Sequence, residues 1–151
     1  MPPATAQQGA RLVTYLNDRI SMTIGNGECW TAADSAIREI GAARPGSDLY
    51  VWGSVVQHAD MQPGDILQFS QFTVRVTQGN GDWSELTFGA PRHTAIVESI
   101  NSDGSVNLLH QNYDGVRSVA GLRSVFLNSG SQGGATVTTS GSVTRYRPQT
   151  P

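Results

Sequence analysis

Every helical periodicity in this 151-residue chain falls before Gly41, and from Leu49 onward the sequence reads as short alternating or β-branched runs separated by turns. A chain that places its helices first and its strands afterwards has no βαβ units to wind into a parallel sheet. It is expected to be α+β, with the N-terminal helices packed on an antiparallel sheet or half-barrel. The first helix is marked by Ala10, Leu12, Val13, Leu16 and Ile20 and ends before Gly25. The second carries Cys29, Ala33, Ala36, Ile37 and Ile40 on one stripe, Thr31, Ser35, Arg38 and Glu39 on the other face, and Gly41 as a stop. Residues 1–8 read as a flexible lead-in rich in Pro, Ala and Gln. With no repeat and no linker, residues 1–151 are expected to form one domain, long enough to bury a core without staples.

The strands follow in order. Tyr50–Val56 is short and β-branched or aromatic; Gln62-Pro63-Gly64-Asp65 is a turn signal; Ile66–Phe69 and the alternating Phe72–Thr77 come next. After the loop Gln78–Asp82, Trp83–Phe88 reads as another strand. His93–Ile100 is a strand that opens on a histidine, turns at Asn101-Ser102-Asp103-Gly104, and returns as Val106–Asn112. Folding about that turn brings the His93 end of one strand near the His110–Asn112 end of the other. A Gly/Ser/Thr-rich loop from Asn128 to Gly141 precedes a closing strand, Val143–Pro148.

The lone cysteine excludes an intramolecular disulfide, and one thiol with three histidines, His58, His93 and His110, excludes zinc ribbons and fingers. All ten basic residues are arginines scattered among twelve acidic residues, so no basic patch points to nucleic acid or an anionic membrane. No apolar run approaches the ~20 residues that cross a bilayer. Residues 1–8 lack the charged and apolar regions of a signal peptide, so action outside the cell requires a leader not seen here or another export route.

Cys29 follows Gly25-Asn26-Gly27-Glu28 and sits in the first turn of its helix. Unpaired amides and the helix dipole favour a thiolate there, and thiols at such positions titrate at roughly 3.5–7.5. The competing reading is a small buried apolar residue on an Ala-rich face. A nucleophilic thiol needs a base and a group that orients the base. His93 is the candidate base. His110 and Asn112, on one face of the neighbouring strand, are the candidates to accept its Nδ1–H, with Gln111 pointing the other way. His58 reads as an ordinary polar residue before a turn.

Taken together, Gly27-Glu28-Cys29-Trp30 opening a helix, Pro63-Gly64-Asp65-Ile66 before a strand, His93-Thr94-Ala95-Ile96-Val97, His110-Gln111-Asn112-Tyr113-Asp114-Gly115 and Tyr146-Arg147-Pro148 resemble the CHAP domains, relatives of the NlpC/P60 peptidases, over residues 25–148. The resemblance implies a papain-like NlpC/P60-CHAP fold and amidase or endopeptidase cleavage of peptidoglycan peptides, outside the cell or in the periplasm. It makes Cys29 the nucleophile and His93 the base. Asn112 matches the Asn of the CHAP Glu-x-Asn motif; His110 stands at the Glu position, where NlpC/P60 enzymes commonly use His. Glu28 stands where CHAP domains often have Gln, and Arg92 replaces the Gly that often precedes the histidine. A carboxylate at 28 raises the thiol pKa unless it points away.

The expected mechanism is acyl transfer through Cys29, with its backbone N–H and Asn26 as candidate oxyanion donors and Trp30 and Trp52 lining a substrate groove. No cofactor is required, and the expected partner is a peptidoglycan peptide bound by a monomer. Two alternatives stay open. One is a catalytically inactive module that holds wall peptides; the other is a zinc hydrolase using Cys29, His93 and His110.

Overall fold

A computed structural model of the chain describes residues 1–151, Gln132 by its backbone alone. Helix α1, Ala6–Asn17, starts at a capping box in which the Thr5 hydroxyl accepts from the Gln8 amide and the Gln8 side chain accepts from the Thr5 amide. It stops short of Ile20, which instead bridges in parallel to Val119. Helix α2, Cys29–Glu39, places Cys29 at its first position and ends before Gly41, whose φ of 70° reverses the chain. The lead-in expected to be flexible is tied down, because Ala4 donates to the Pro148 carbonyl (2.7 Å) and Thr150 to that of Pro2 (2.9 Å).

Seven strands form one antiparallel sheet: β1 Ser54–Val55, β2 Ile66–Thr77, β3 Trp83–Ile100, β4 Val106–His110, β5 Ala120–Val125, β6 Gly130–Gln132 and β7 Ala135–Arg147. Their order across the sheet is β1-β7-β2-β3-β4-β5, with β6 added to β7. Only Ser54–Val55 of the expected strand Tyr50–Val56 pairs; Trp52 turns into the core from a loop instead.

The two expected strands Ile66–Phe69 and Phe72–Thr77 are one strand interrupted by a bulge. Pairing with β3 jumps from Ser70↔Arg92 to Phe72↔Phe88, so Gln71 stands opposite Gly89-Ala90-Pro91. The proline is tolerated because it lies where the ladder needs no N–H. His93 therefore lies inside an 18-residue strand, just past the bulge, rather than opening one.

The sheet buries both faces. On one, Ile66, Ile96 and Leu109 meet Leu12, Leu16, Ala33, Ala36 and Ile37 of the helices. On the other, Phe69, Phe72, Val74, Phe88, Val97 and Leu108 pack within the curved sheet. Helix α1 approaches so closely that a Cβ on Gly9 would meet the Pro63 carbonyl, and Gly64 opposite it has a φ of 95°. This explains the Pro63-Gly64-Asp65 signal. Asp65, 1% exposed, then takes Arg147 bidentately at 2.8 and 2.9 Å, joining the start of β2 to the end of β7.

Candidate active site

Cys29 reaches its place because the loop before it is held from three directions. Asn26 Oδ1 accepts from the Glu28 amide (3.0 Å) and the Thr31 hydroxyl (2.7 Å), tying the turn to the first turn of the helix. Gln111, fully buried just past the end of β4, accepts from the Ile24 amide (2.8 Å) and donates to the carbonyls of Ile24 (3.1 Å) and Glu28 (2.9 Å). Arg117 donates to the Asn26 carbonyl (2.6 Å). The half-buried Cys29 thus stands where β4 gives out, its sulfur facing the amides of Trp30 and Thr94.

Thr94 belongs to β3, whose local course is fixed by a buried polar group. Gln68 accepts from Trp52 Nε1 (3.0 Å) and the Thr94 hydroxyl (2.7 Å) and donates to the His93 carbonyl (3.1 Å). Next to it, His93 and His110 project from the other face of β3 and β4 and meet, Nε2 to Nδ1, at 2.9 Å. Three aromatic rings enclose the pair: Phe88 stacks on His93 at 5.8 Å, Tyr113 on His110 at 4.8 Å and on Phe88 at 5.1 Å, and Phe69 on Phe88 at 4.5 Å.

The electrostatics follow from that enclosure. Burial holds His93 down to about 4, and burial together with the neighbouring imidazole holds His110 at about 3. Both rings are neutral at pH 7. A neutral pair shares one proton across the contact. If it sits on His93 Nε2, His93 Nδ1 carries the lone pair a base needs; this requires His110 to be protonated at Nε2. Burial also pushes the Cys29 thiol above its ordinary value, and Glu28 pushes the same way, while the Thr94 and Trp30 amides pull it down. The lowered thiol pKa expected from the helix position is therefore reversed: here the loss of water outweighs the hydrogen bonds from the backbone amides.

His93 lines an open cleft of about 730 Å³ with Arg92, Asn112, Tyr113 and Asp114. The histidine link runs through Nε2, not the expected Nδ1, and ends on His110. Asn112, the other candidate, donates to Glu28 Oε2 (3.2 Å) and lies in the left-handed region at φ 61°, so it belongs to the cysteine loop. Asn26, the oxyanion candidate, holds the Glu28 amide and the Thr31 hydroxyl through its side-chain oxygen. Of the groove candidates, Trp52 is 1% exposed and part of the core, and Trp30 leans on it at 5.6 Å with its Nε1 on the Leu49 carbonyl.

His58 is a structural cross-link, with Nε2 on the Gly104 carbonyl (3.1 Å) and Nδ1 on Arg145 (3.1 Å). Among the described residues no hydrogen bond joins Cys29 to either histidine, and no three His, Cys, Asp or Glu side chains converge as a metal-ligand set, so the Cys29–His93–His110 zinc arrangement is not assembled. Reading from the sequence missed Gln111, Gln68 and Arg117. Gln111 carried one signal, a polar side chain expected to face away from the histidines toward the helices.

A family model described as AIM3/BBC1 cysteine proteinase-fold domain matches residues 2–133. No curated protein and no solved structure matches the chain. Two helices on a seven-stranded antiparallel sheet agree with a papain-like fold of the cysteine proteinase type.

Proposed function

The chain belongs to the AIM3/BBC1 cysteine proteinase-fold domain family, and from that premise we propose that it hydrolyses amide bonds of peptides through Cys29, His93 and His110. The observation that carries this reading is the 2.9 Å contact between His93 Nε2 and His110 Nδ1, on the strands that face the cysteine-bearing helix end. A neutral His93 with its proton on Nε2 accepts the Cys29 proton at Nδ1 as sulfur attacks the carbonyl carbon. The imidazolium so formed donates through Nε2–H to His110, then returns the proton to the departing amine. Water next cleaves the thioester and releases the acid. The Cys29 amide supports the oxyanion.

The raised thiol and neutral histidines favour proton transfer concerted with attack over a standing thiolate–imidazolium pair. The same observations lend weight to a second reading, a module that binds peptide in the cleft without cutting it. We assign the substrate as an extended peptide laid along the His93 cleft. The CHAP-like order of motifs makes peptidoglycan stem peptides and cross-bridges the first class to try, beside ordinary unstructured peptides.

The test is hydrolysis of both classes, followed by mass spectrometry, with Cys29→Ala and His93→Ala alongside the parent. Cleavage that disappears in both variants is expected. Cleavage that survives Cys29→Ala sinks the assignment, and binding without any cleavage by the parent moves the protein to the second reading.

A further inference from the structure

One side chain outside the proposed triad grips the segment that delivers the nucleophile. Arg117, in the loop between β4 and β5, donates from Nη2 to the Asn26 carbonyl (2.6 Å) and to Glu28 Oε1 (3.1 Å), and from Nη1 to Asn112 Oδ1 (3.4 Å). Asn112 in turn holds Glu28 Oε2 (3.2 Å), so both carboxylate oxygens are engaged. The guanidinium lies over Gly27, where a Cβ would come within 3.1 Å of Nε and where the φ of +83° already disfavours a side chain. Gly27 is thus explained by the arginine above it as well as by the turn.

Resting on the assignment of Cys29 as nucleophile, we propose that Arg117 is a positioning residue for it, fixing the turn Asn26-Gly27-Glu28 and offsetting the carboxylate beside the sulfur. Glu28 immediately precedes Cys29, and its negative charge opposes formation of a thiolate there. The segments that touch that helix end, at Thr94 of β3, at Gln111 after β4 and at Arg117 in the following loop, carry as charged or titratable groups Arg92, His93, His110, Tyr113, Asp114 and Arg117, beside Glu28 itself. Arg117 is the one cation among them bound to Glu28. Its planar fork reaches a carbonyl and a carboxylate oxygen at once, which an ammonium point charge reproduces only in part.

The test uses the intact chain and its single thiol. Alkylation of Cys29 by iodoacetamide, followed by mass spectrometry between about pH 6.5 and 9.5, reads the thiol independently of any hydrolysis. Arg117→Ala is expected to alkylate roughly two- to fivefold more slowly at pH 8, the range set by exposed ion pairs, with the profile displaced to higher pH. Arg117→Lys falls between variant and parent. Adding Glu28→Gln to Arg117→Ala restores at least the parent rate.

A parental profile for Arg117→Ala overturns the proposal. So does a double variant as slow as Arg117→Ala, which would make Arg117 a purely structural strap. Should Arg117→Ala lose its near-UV dichroism, Glu28→Gln alone decides, with faster alkylation than the parent expected and an unchanged rate refuting. Failure of the catalytic assignment looks different. Hydrolysis would then survive Cys29→Ala while the alkylation series kept its pattern.

Discussion

Lowering the pH from 8 to 5 should destabilise this protein through its two enclosed histidines. Unfolded, each imidazole titrates near 6.5; folded, His93 holds its proton only below about 4 and His110 only below about 3. Folded values below the unfolded one mean that the unfolded chain binds more protons as pH falls through 6.5. Stability is then full above that pH, declines below it, and stops declining once the folded-state values are passed. At pH 5 the linkage integral gives about 2 kcal/mol for each ring and roughly 4 kcal/mol for the pair. That is a large share of the ~5–15 kcal/mol expected for a domain of this size.

The assay is urea unfolding followed by tryptophan fluorescence at pH 8 and pH 5, on the parent and on His110→Gln, which can still accept from His93 Nε2. The variant should lose about 2 kcal/mol less than the parent over the same interval. His58, also held below its ordinary value by burial, is common to both proteins and cancels in the difference. Equal losses in parent and variant would refute the reasoning, because the enclosure by Phe88 and Tyr113 would then not control the charge.

Three further substitutions probe the frame around the site. Asp65→Asn leaves Arg147 facing a neutral side chain at a buried end of the sheet and should cost about 3–5 kcal/mol, read from the urea midpoint. Gly9→Ala drives a methyl into the Pro63 carbonyl and should lower stability by about 1–3 kcal/mol, seen as a fall of several degrees in the melting temperature. Gln111→Leu leaves the Ile24 amide unpaired, while the Ile24 and Glu28 carbonyls keep the Gly27 and Ala32 amides, and should cost about 1–3 kcal/mol while altering the rate at which iodoacetamide reaches Cys29.

Local pattern carried much of this architecture. The stripe from Ala33 to Ile40 placed α2 with Cys29 at its first turn, and Asp103-Gly104 between two apolar runs placed the hairpin that sets His110 opposite Ala95, within side-chain reach of His93. The failures have physical causes. Ile20 suited a helical stripe, yet tertiary pairing with Val119 took it out of α1. Trp83–Phe88 and His93–Ile100 read as two strands because a bulge opposite Gln71 cannot be seen from one strand alone. The thiol was expected to be acidified by its helix end, but burial depends on which side chains arrive from β3 and β4, and that is a property of the fold. Asn112 looked interchangeable with His110 by alternation; the left-handed turn at 112 ended the strand between them and rotated it to Glu28.

His110 and Gln111 are consecutive residues, one bonded to His93 and the other to the loop that carries Cys29. One peptide unit therefore serves as a common reference for both halves of the site. A sliding or breathing motion of β4 displaces the imidazole pair and the cysteine loop in the same direction, and the spacing between them is insulated from it. Only a rotation about the strand axis, which moves the two faces oppositely, changes that spacing. Lengthening the distant Asp103-Gly104 turn should thus be absorbed harmlessly, whereas deleting a single residue at this junction would exchange the faces and separate the two halves.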